Sequence, residues 1–308
     1  MDRFKWFDQL PAGLRIRRLL RTIWSELTFP QSCAPGHFYS PIPSHAELVR
    51  DRQRIFGAQA AAMPELDLRE SAQLRLLSRL GTQAASLHFP PQPVPVKRFY
   101  LENDYFFSPD ARVFAAMLLE HRPRRYVEIG SGFSSALALD LRAEFFGGEL
   151  TCVFIEPDTE RLQRLLTAQD RENVIIHESR VQSVSDRVFR ELAPNDILFV
   201  DGSHVSKAGS DLNDVVFRVL PLLHTGVLIH FHDIYWPFEY LEKHVMCGTS
   251  WNEAYLLRAY LANNVRYRIE FFSSWLEQKH AAEWQAAFPE AGKGLASSLW
   301  LRKVGTEA

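Results

Sequence analysis

The sequence predicts an α/β protein: a doubly wound, mostly parallel seven-stranded sheet with an antiparallel edge, plus an N-terminal helical extension. Two observations predict it. From about residue 124 onward, short, nearly continuous apolar runs alternate with helical stretches. Strands without polar alternation belong to a parallel sheet covered by helices on both faces. The glycines, acids and histidines stand at the carboxyl ends of these runs, where open α/β sheets bind their ligands.

Taken in order, residues 1–90 read as helices and loops. Ser44 with Glu47 forms the pattern of a capping box before HAELVRDRQRIFG. DLRESAQLRLLSRL repeats leucine at helical spacing. The four prolines of FPPQPVPVKRF, Phe89 to Phe99, favour an extended joint. The expected division is therefore an extension and joint over 1–98 and a main domain over 99–308. Ser108-Pro109-Asp110 opens the first main-domain helix, with Ser as cap and Pro at the first position. RYVEIG, LTCVFIE, NVIIHE, DILFVDG and GVLIHFHDI are strands with helical stretches between them. Ser250 with Glu253 forms a second capping-box pattern before a helix through Tyr260. RYRIEFF and SSLWLRKV are two final strands, expected to follow closely as an antiparallel edge pair.

Composition narrows the function classes. The 308 residues carry a formal charge of −2, which gives no basic footprint for nucleic acid. Cys33, Cys152 and Cys247 are too few and too scattered for a disulfide framework or a CxxC zinc site, so a reducing, cytoplasmic setting is expected. No apolar run is long enough to span a bilayer. At the start of the chain Arg15, Arg17, Arg18 and Arg21 interrupt the apolar residues, unlike a signal peptide. That stretch reads as a basic amphipathic helix. Packing on its own protein or on a second subunit, as in a homodimer, is favoured over a membrane surface.

YVEIGSGFSS raises the functional question. Gly130 and Gly132 allow a sharp turn and close ligand approach, and the helix after them offers N–H groups to an anion. The pattern is not GxGxxG, since Ser135 stands where the third glycine would be, and no Gly-Lys-Ser/Thr follows. Glu128 would repel a pyrophosphate and attract an amine. A ligand with an amine, a carboxylate and an adenosine fits, and S-adenosylmethionine is one. Glu156, at the end of the second strand, is placed to accept ribose hydroxyls. The plainer alternative has Glu128 satisfying local backbone amides.

With EIGSGFSS, FIEPD, HESRVQS and DILFVDGSH in this order, the chain resembles the class I S-adenosylmethionine-dependent methyltransferases, Rossmann-like in fold. It is most similar in detail to O-methyltransferases of the catechol and caffeoyl type and to a bacterial group called methyltransferase-domain proteins. The resemblance implies methyl transfer to a small-molecule acceptor, on a hydroxyl oxygen. It implies cofactor contacts from Glu128, Gly130, Gly132, Phe133, Ser134, Glu156, Ser179, Arg180 and Asp201. In the metal-dependent relatives the aspartate matching Asp201 binds a divalent cation and a lysine matching His204 is the base. An Asp-Asn or Asp-Asp pair matches His232 and Asp233. Hence His204, Asp201 and Asp233 are the candidate catalytic residues and Asp201, His232 and Asp233 the candidate metal ligands. A histidine among them suits manganese, iron or zinc better than magnesium. Strand alternation sends His232 and Asp233 to opposite faces unless the strand has already ended. Phe133, Tyr105 and Trp236 are candidate aromatic walls for a sulfonium, and His37 to Ser44 a candidate acceptor-pocket loop. The competing readings are a metal-dependent oxygenase or hydrolase using His230, His232 and Asp233, and a non-catalytic module that only binds the cofactor.

Overall fold

The computed structural model describes residues 27, 32–57, 63–289, 291–292 and 295–305. The basic helix expected near the start lies outside the described residues. The chain forms two units. One combines residues 1–62 with Tyr240–Trp251, and the other combines Met63–Glu239 with Asn252–Ala308.

The larger unit is built on one sheet of seven strands: β1 (Arg125–Ile129), β2 (Thr151–Ile155), β3 (Ile175–His177), β4 (Ile197–Val200), β5 (Leu228–Phe231), β6 (Tyr267–Phe272) and β7 (Leu299–Lys303). Their order is β3-β2-β1-β4-β5-β7-β6. The first five are parallel, and β7 runs antiparallel to both β5 and β6. The order in which the chain adds strands reverses between β1 and β4, which opens a crevice at the carboxyl edge. β4 and β5 are buried at every position, as covered parallel strands should be. The expected edge pair is present, but the helices Ser273–Lys279 and Ala281–Ala287 separate β6 from β7 in sequence.

Helices cover the sheet on grounds readable in their termini. Ser108–His121 carries Pro109 in its first turn and ends at Arg122 in the left-handed region (φ 48°). Its Phe114 meets Phe199 of β4 and Tyr126 of β1 with ring centroids 5.4 and 5.5 Å apart. That aromatic centre lies beneath the crevice. Among the described residues, no helix is long and apolar enough to cross a membrane.

The boundary expected at residue 98 falls elsewhere, because the preceding helix belongs to the sheet body. Glu70–Ala84 buries Leu76, Leu77 and Leu80 and packs on Ser108–His121 and Ala281–Ala287. Gln73 is fully buried there, and its Oε1 accepts the Phe272 N–H at 2.6 Å. The proline-rich joint is likewise pinned. Arg98 bridges Asp140 at 2.8 Å and Asp170 at 2.7 Å, while Asp140 also accepts the N–H groups of Arg98 and Phe99. In the smaller unit, Ser44 precedes the helix His45–Arg50 but makes no side-chain cap. Arg52 pairs with Glu242. Phe38 and Tyr39, in the loop considered for the acceptor pocket, are 81% and 77% exposed.

Removing one partner from a buried ion pair strands the other charges. Arg98→Met is expected to cost about 3 kcal/mol of unfolding free energy, measured as a lowered midpoint in urea without a change of slope.

Candidate functional site

The crevice is made by close backbone approach. Gly130 has φ +82°, and a Cβ there would lie 1.9 Å from the carbonyl oxygen of Asp201. Its N–H donates to the Ile155 carbonyl at 3.0 Å, and the Asp201 N–H donates to the Ile129 carbonyl at 2.9 Å. The ends of β1, β2 and β4 are thus stitched around one glycine. Gly132 differs. Its backbone is extended (φ −179°), and a Cβ would meet only the flexible Arg161 side chain, at 3.3 Å.

Glu128 turns inward to its own loop. It is wholly buried, and its two oxygens accept the hydroxyls of Ser134 and Ser135, the latter at 2.5 Å. Ser135 in turn accepts the Gly132 N–H at 3.0 Å. Glu128 therefore fixes the first helical turn after the glycines, and the Ser134 hydroxyl is committed to it. Burial pushes the Glu128 pKa up to about 8, against the pull of the two serines.

Glu156 is half-buried on the crevice wall. Its carboxylate accepts the N–H groups of Ser131 at 3.0 Å and Asp158 at 2.8 Å, one on each oxygen. A carboxylate has about four acceptor positions, so capacity remains for hydroxyl groups. One cavity of about 580 Å³ is lined by Gly130, Glu156, Arg180, Gln182, Asp201 and Asp211. A second, of about 660 Å³, is lined by Glu156, Arg161, Tyr105, Phe133 and Tyr100. Both volumes suit a ligand of nucleoside size. Ser179 is not among the residues lining either cavity, whereas its neighbour Arg180 is. Tyr105 stacks on Phe133 (centroids 5.8 Å apart, 11° between planes), and the Arg161 guanidinium lies 3.9 Å over the Tyr105 ring. Trp236 is no cavity wall. It packs edge-on against Phe272, and its backbone N–H donates to the Ser274 hydroxyl at 2.7 Å.

Next to the first cavity stands a cluster of acids and histidines. β5 ends at Phe231, and Asp233 adopts φ +57°, so the alternation that would separate His232 from Asp233 no longer applies. His204 also has positive φ, +58°. Asp201, His204 and Asp233 bring ligand atoms within 4.8 Å of one another. His204 Nε2 is 3.2 Å from Asp201 Oδ1 and 3.9 Å from Asp233 Oδ2, and its Nδ1 is 2.6 Å from Glu253 Oε2. His232 Nδ1 is 3.8 Å from the same Asp201 Oδ1 and 3.7 Å from the same Asp233 Oδ2. Its Nε2 is 3.7 Å from Asp110 Oδ2. These three distances are too long for hydrogen bonds, and neither ring nitrogen of this buried imidazole has such a partner.

The electrostatics follow. Burial opposes a charge on His204, but hydrogen bonds to Asp201 and Glu253 outweigh it and carry its pKa up to about 10. Burial likewise opposes charge on His232, yet Asp233 and Asp201 hold its pKa well above the usual histidine range. Burial would raise the Asp233 pKa, but His232 depresses it well below the usual carboxylate range. Both His204 ring nitrogens thus face carboxylates that favour its charged form. His230 is not part of the cluster. It is fully buried between Phe199 (4.1 Å) and Trp300 (4.7 Å), and burial keeps it neutral. The oxygenase or hydrolase set of His230, His232 and Asp233 is therefore not assembled.

Residues 127–234, from β1 to just past β5, match a family model described as a methyltransferase domain. This stretch is similar to that methyltransferase-domain family. A protein of Archaeoglobus fulgidus is 36% identical to the chain over 126 residues, covering 40% of this chain and 57% of its own length. The O-methyltransferase TomG from Streptomyces achromogenes, solved with S-adenosylmethionine, is 16% identical, with 75% of this chain and 90% of that one covered and a TM-score of 0.42. The S-adenosylhomocysteine-bound Podospora anserina methyltransferase PaMTH1 is 14% identical, with 81% and 100% covered and a TM-score of 0.40.

Two site residues escaped sequence reading, and both lie outside the methyltransferase-domain match. Glu253 follows its cap residue Asn252 and turns to His204 instead of completing a box with Ser250. Asp110 lies in the first turn of Ser108–His121, where an acid suits the helix dipole, yet its carboxylate accepts from Ser297 and Ser298 and faces His232. No spacing rule pairs positions so far apart.

Gly130→Ala is expected to abolish ligand binding in the crevice, or folding itself, because the added carbon collides with backbone. Gly132→Ala should be nearly neutral in a thermal melt. Glu128 tests the buried acid. Between the usual glutamate pKa and about 8, the unfolded chain has released this proton and the folded chain keeps it. Rising pH therefore destabilises the fold through that window by up to about 1.4 kcal/mol per pH unit from this group. Glu128→Gln removes that component, so the gap between variant and parent melting temperatures should widen from pH 5 to pH 8.

Proposed function

We propose that the protein transfers a methyl group from S-adenosylmethionine to a hydroxyl oxygen of a small-molecule acceptor. The observation that carries this reading is the crevice at the β1/β4 reversal, with Gly130 at its floor and Glu156 on its wall. In this reading Glu156 accepts the ribose hydroxyls. Gly130 and Gly132 admit the ligand to backbone contact, and Phe133 with Tyr105 forms an aromatic side that does not neutralise a sulfonium. Arg180 and Gln182 border the nucleoside end, and Glu128 acts indirectly by holding Ser134 and Ser135. Asp201 belongs both to the cavity wall and to the acid–histidine cluster, so the cluster marks the acceptor end.

Bound there, S-adenosylmethionine supplies a methyl on sulfur: an acceptor oxygen lone pair forms the C–O bond as the C–S pair returns to sulfur. The hydroxyl proton goes to Asp201 of the carboxylate pair Asp201 and Asp233, since His232 keeps Asp233 ionised. His204 orients that pair, since its own ring nitrogens are already engaged. The donor set, two imidazoles with two carboxylates, does not match the all-oxygen preference of magnesium. A cytoplasmic enzyme that can form a homodimer completes the reading.

Calorimetric titration of the whole chain with S-adenosylmethionine and S-adenosylhomocysteine tests it. Both should bind at one site. Glu156→Ala should weaken both by about 1.5–3 kcal/mol, roughly ten- to a hundredfold, the usual worth of hydrogen bonds to a charged group. Unchanged affinity in that variant would remove the ribose assignment.

A further inference from the structure

We propose that Arg161 binds the α-carboxylate of the methyl donor, with Tyr105 as the platform that presents its guanidinium. The inference rests on the donor-binding reading of the crevice and deepens it, by naming the group that answers the donor's one negative charge.

The glycine loop spends its own donors on the protein. The Gly130 N–H donates to the Ile155 carbonyl, the Ser131 N–H to Glu156 and the Gly132 N–H to the Ser135 hydroxyl, each at 3.0 Å. The Ser134 and Ser135 hydroxyls both donate to Glu128. A hydroxyl carries one proton, so neither can also donate to a ligand. What the loop leaves for a carboxylate is the start of the helix Phe133–Phe145, whose cap residue is Gly132. Arg161 reaches that point. Its Cδ lies 3.3 Å, and its Nη1 3.8 Å, from where a Gly132 Cβ would stand.

The guanidinium is placed but not paired. Among the described residues it has no carboxylate or hydrogen-bond partner. Of the acids around the second cavity, Glu156 accepts two backbone N–H groups and Glu160 pairs with Arg164, and none pairs with Arg161. Instead the guanidinium lies 3.9 Å over the Tyr105 ring, which stacks on Phe133, while Tyr100 meets the same Phe133 edge-on at 5.3 Å. The loop that carries Tyr105 is fixed from within. Asn103, 5% exposed, accepts the Tyr105 and Phe106 N–H groups at 3.0 and 2.6 Å and donates to the Tyr100 and Phe106 carbonyls at 2.7 and 3.0 Å. A guanidinium held by its face keeps its N–H donors free at its edge, where a carboxylate takes two of them at once. Arg161 and Glu156 are also the two residues that border both cavities. A donor whose ribose meets Glu156 therefore has Arg161 beside it.

The test titrates the whole chain calorimetrically with S-adenosylmethionine and with its decarboxylated form, which lacks only that carboxylate. Arg161→Met should weaken S-adenosylmethionine by about ten- to a hundredfold and leave the decarboxylated form as it was. Arg161→Lys keeps the charge but loses the fork, so it should recover only part of the affinity. Arg161 is exposed, and both variants should melt with the parent. Glu156→Ala, by contrast, should weaken both ligands alike and leave the ratio of their affinities intact. If Arg161→Met weakens both ligands equally, or neither, the proposal is overturned while the donor reading stands. A parent chain that binds neither ligand defeats the donor reading and this inference with it.

Discussion

The site depends on the contact between Gly130 and the carbonyl of Asp201. It lies at the only kind of place where a parallel sheet opens, between two strands whose connections leave in opposite directions. Because no side-chain carbon fits between them, the loop after β1 can sit directly against the end of β4. Two consequences follow from one steric fact. The crevice gains a backbone floor narrow enough for a ligand to touch both strands. The Asp201 carboxylate is held at that floor, where the cavity wall and the acid–histidine cluster meet. Glu128 then stabilises the geometry from beneath. Its burial is costly for a carboxylate, and the cost is limited by the two serine hydroxyls and by a proton retained up to about pH 8.

The two histidines of β5 show how strongly position sets chemistry. His230 and His232 are two residues apart, point to the same side of the sheet and are equally sheltered from water. His230 has aromatic neighbours on both sides, so burial dominates, aided by His232, and pushes its pKa well down. His232 lies one step beyond the last sheet residue, within 4 Å of three carboxylates, and these overcome the same burial. The strand end is therefore the boundary between aromatic packing and carboxylate contacts on a single strand face.

What was legible in the sequence was what periodicity and local chemistry encode. Near-continuous apolar runs revealed the parallel strands. Gly130, Glu156 and Asp201 were visible because each ends such a run. The less legible parts depend on long-range pairing. Glu253 carried a helix-start pattern and Asp110 a helix-dipole position, both real local signals, yet each side chain turns to a histidine distant in sequence. Trp236 looked like a wall for a sulfonium because it follows Asp233, but the chain turns away and packs it on β6. The prolines before residue 98 signalled an extended joint, and the segment instead bends at Pro91 and turns between Val94 and Lys97. Nothing local could show that Arg98 would be clamped by Asp140 and Asp170.

The positive φ values of His204 and Asp233 bear on how the cluster works. Non-glycine residues seldom adopt this conformation, and where they do the surrounding structure must hold them. Here it does so visibly. The His204 carbonyl is capped by two N–H groups of the 253–261 helix start, and the Asp233 carboxylate is held by Tyr235. Relaxing either residue to negative φ would redirect its side chain. The fold thus spends backbone strain at two separate loops to make two side chains converge. A helix cap or a surface ion pair does not require that. The two loops together bring the ligand atoms of Asp201, His204 and Asp233 within 4.8 Å of one another.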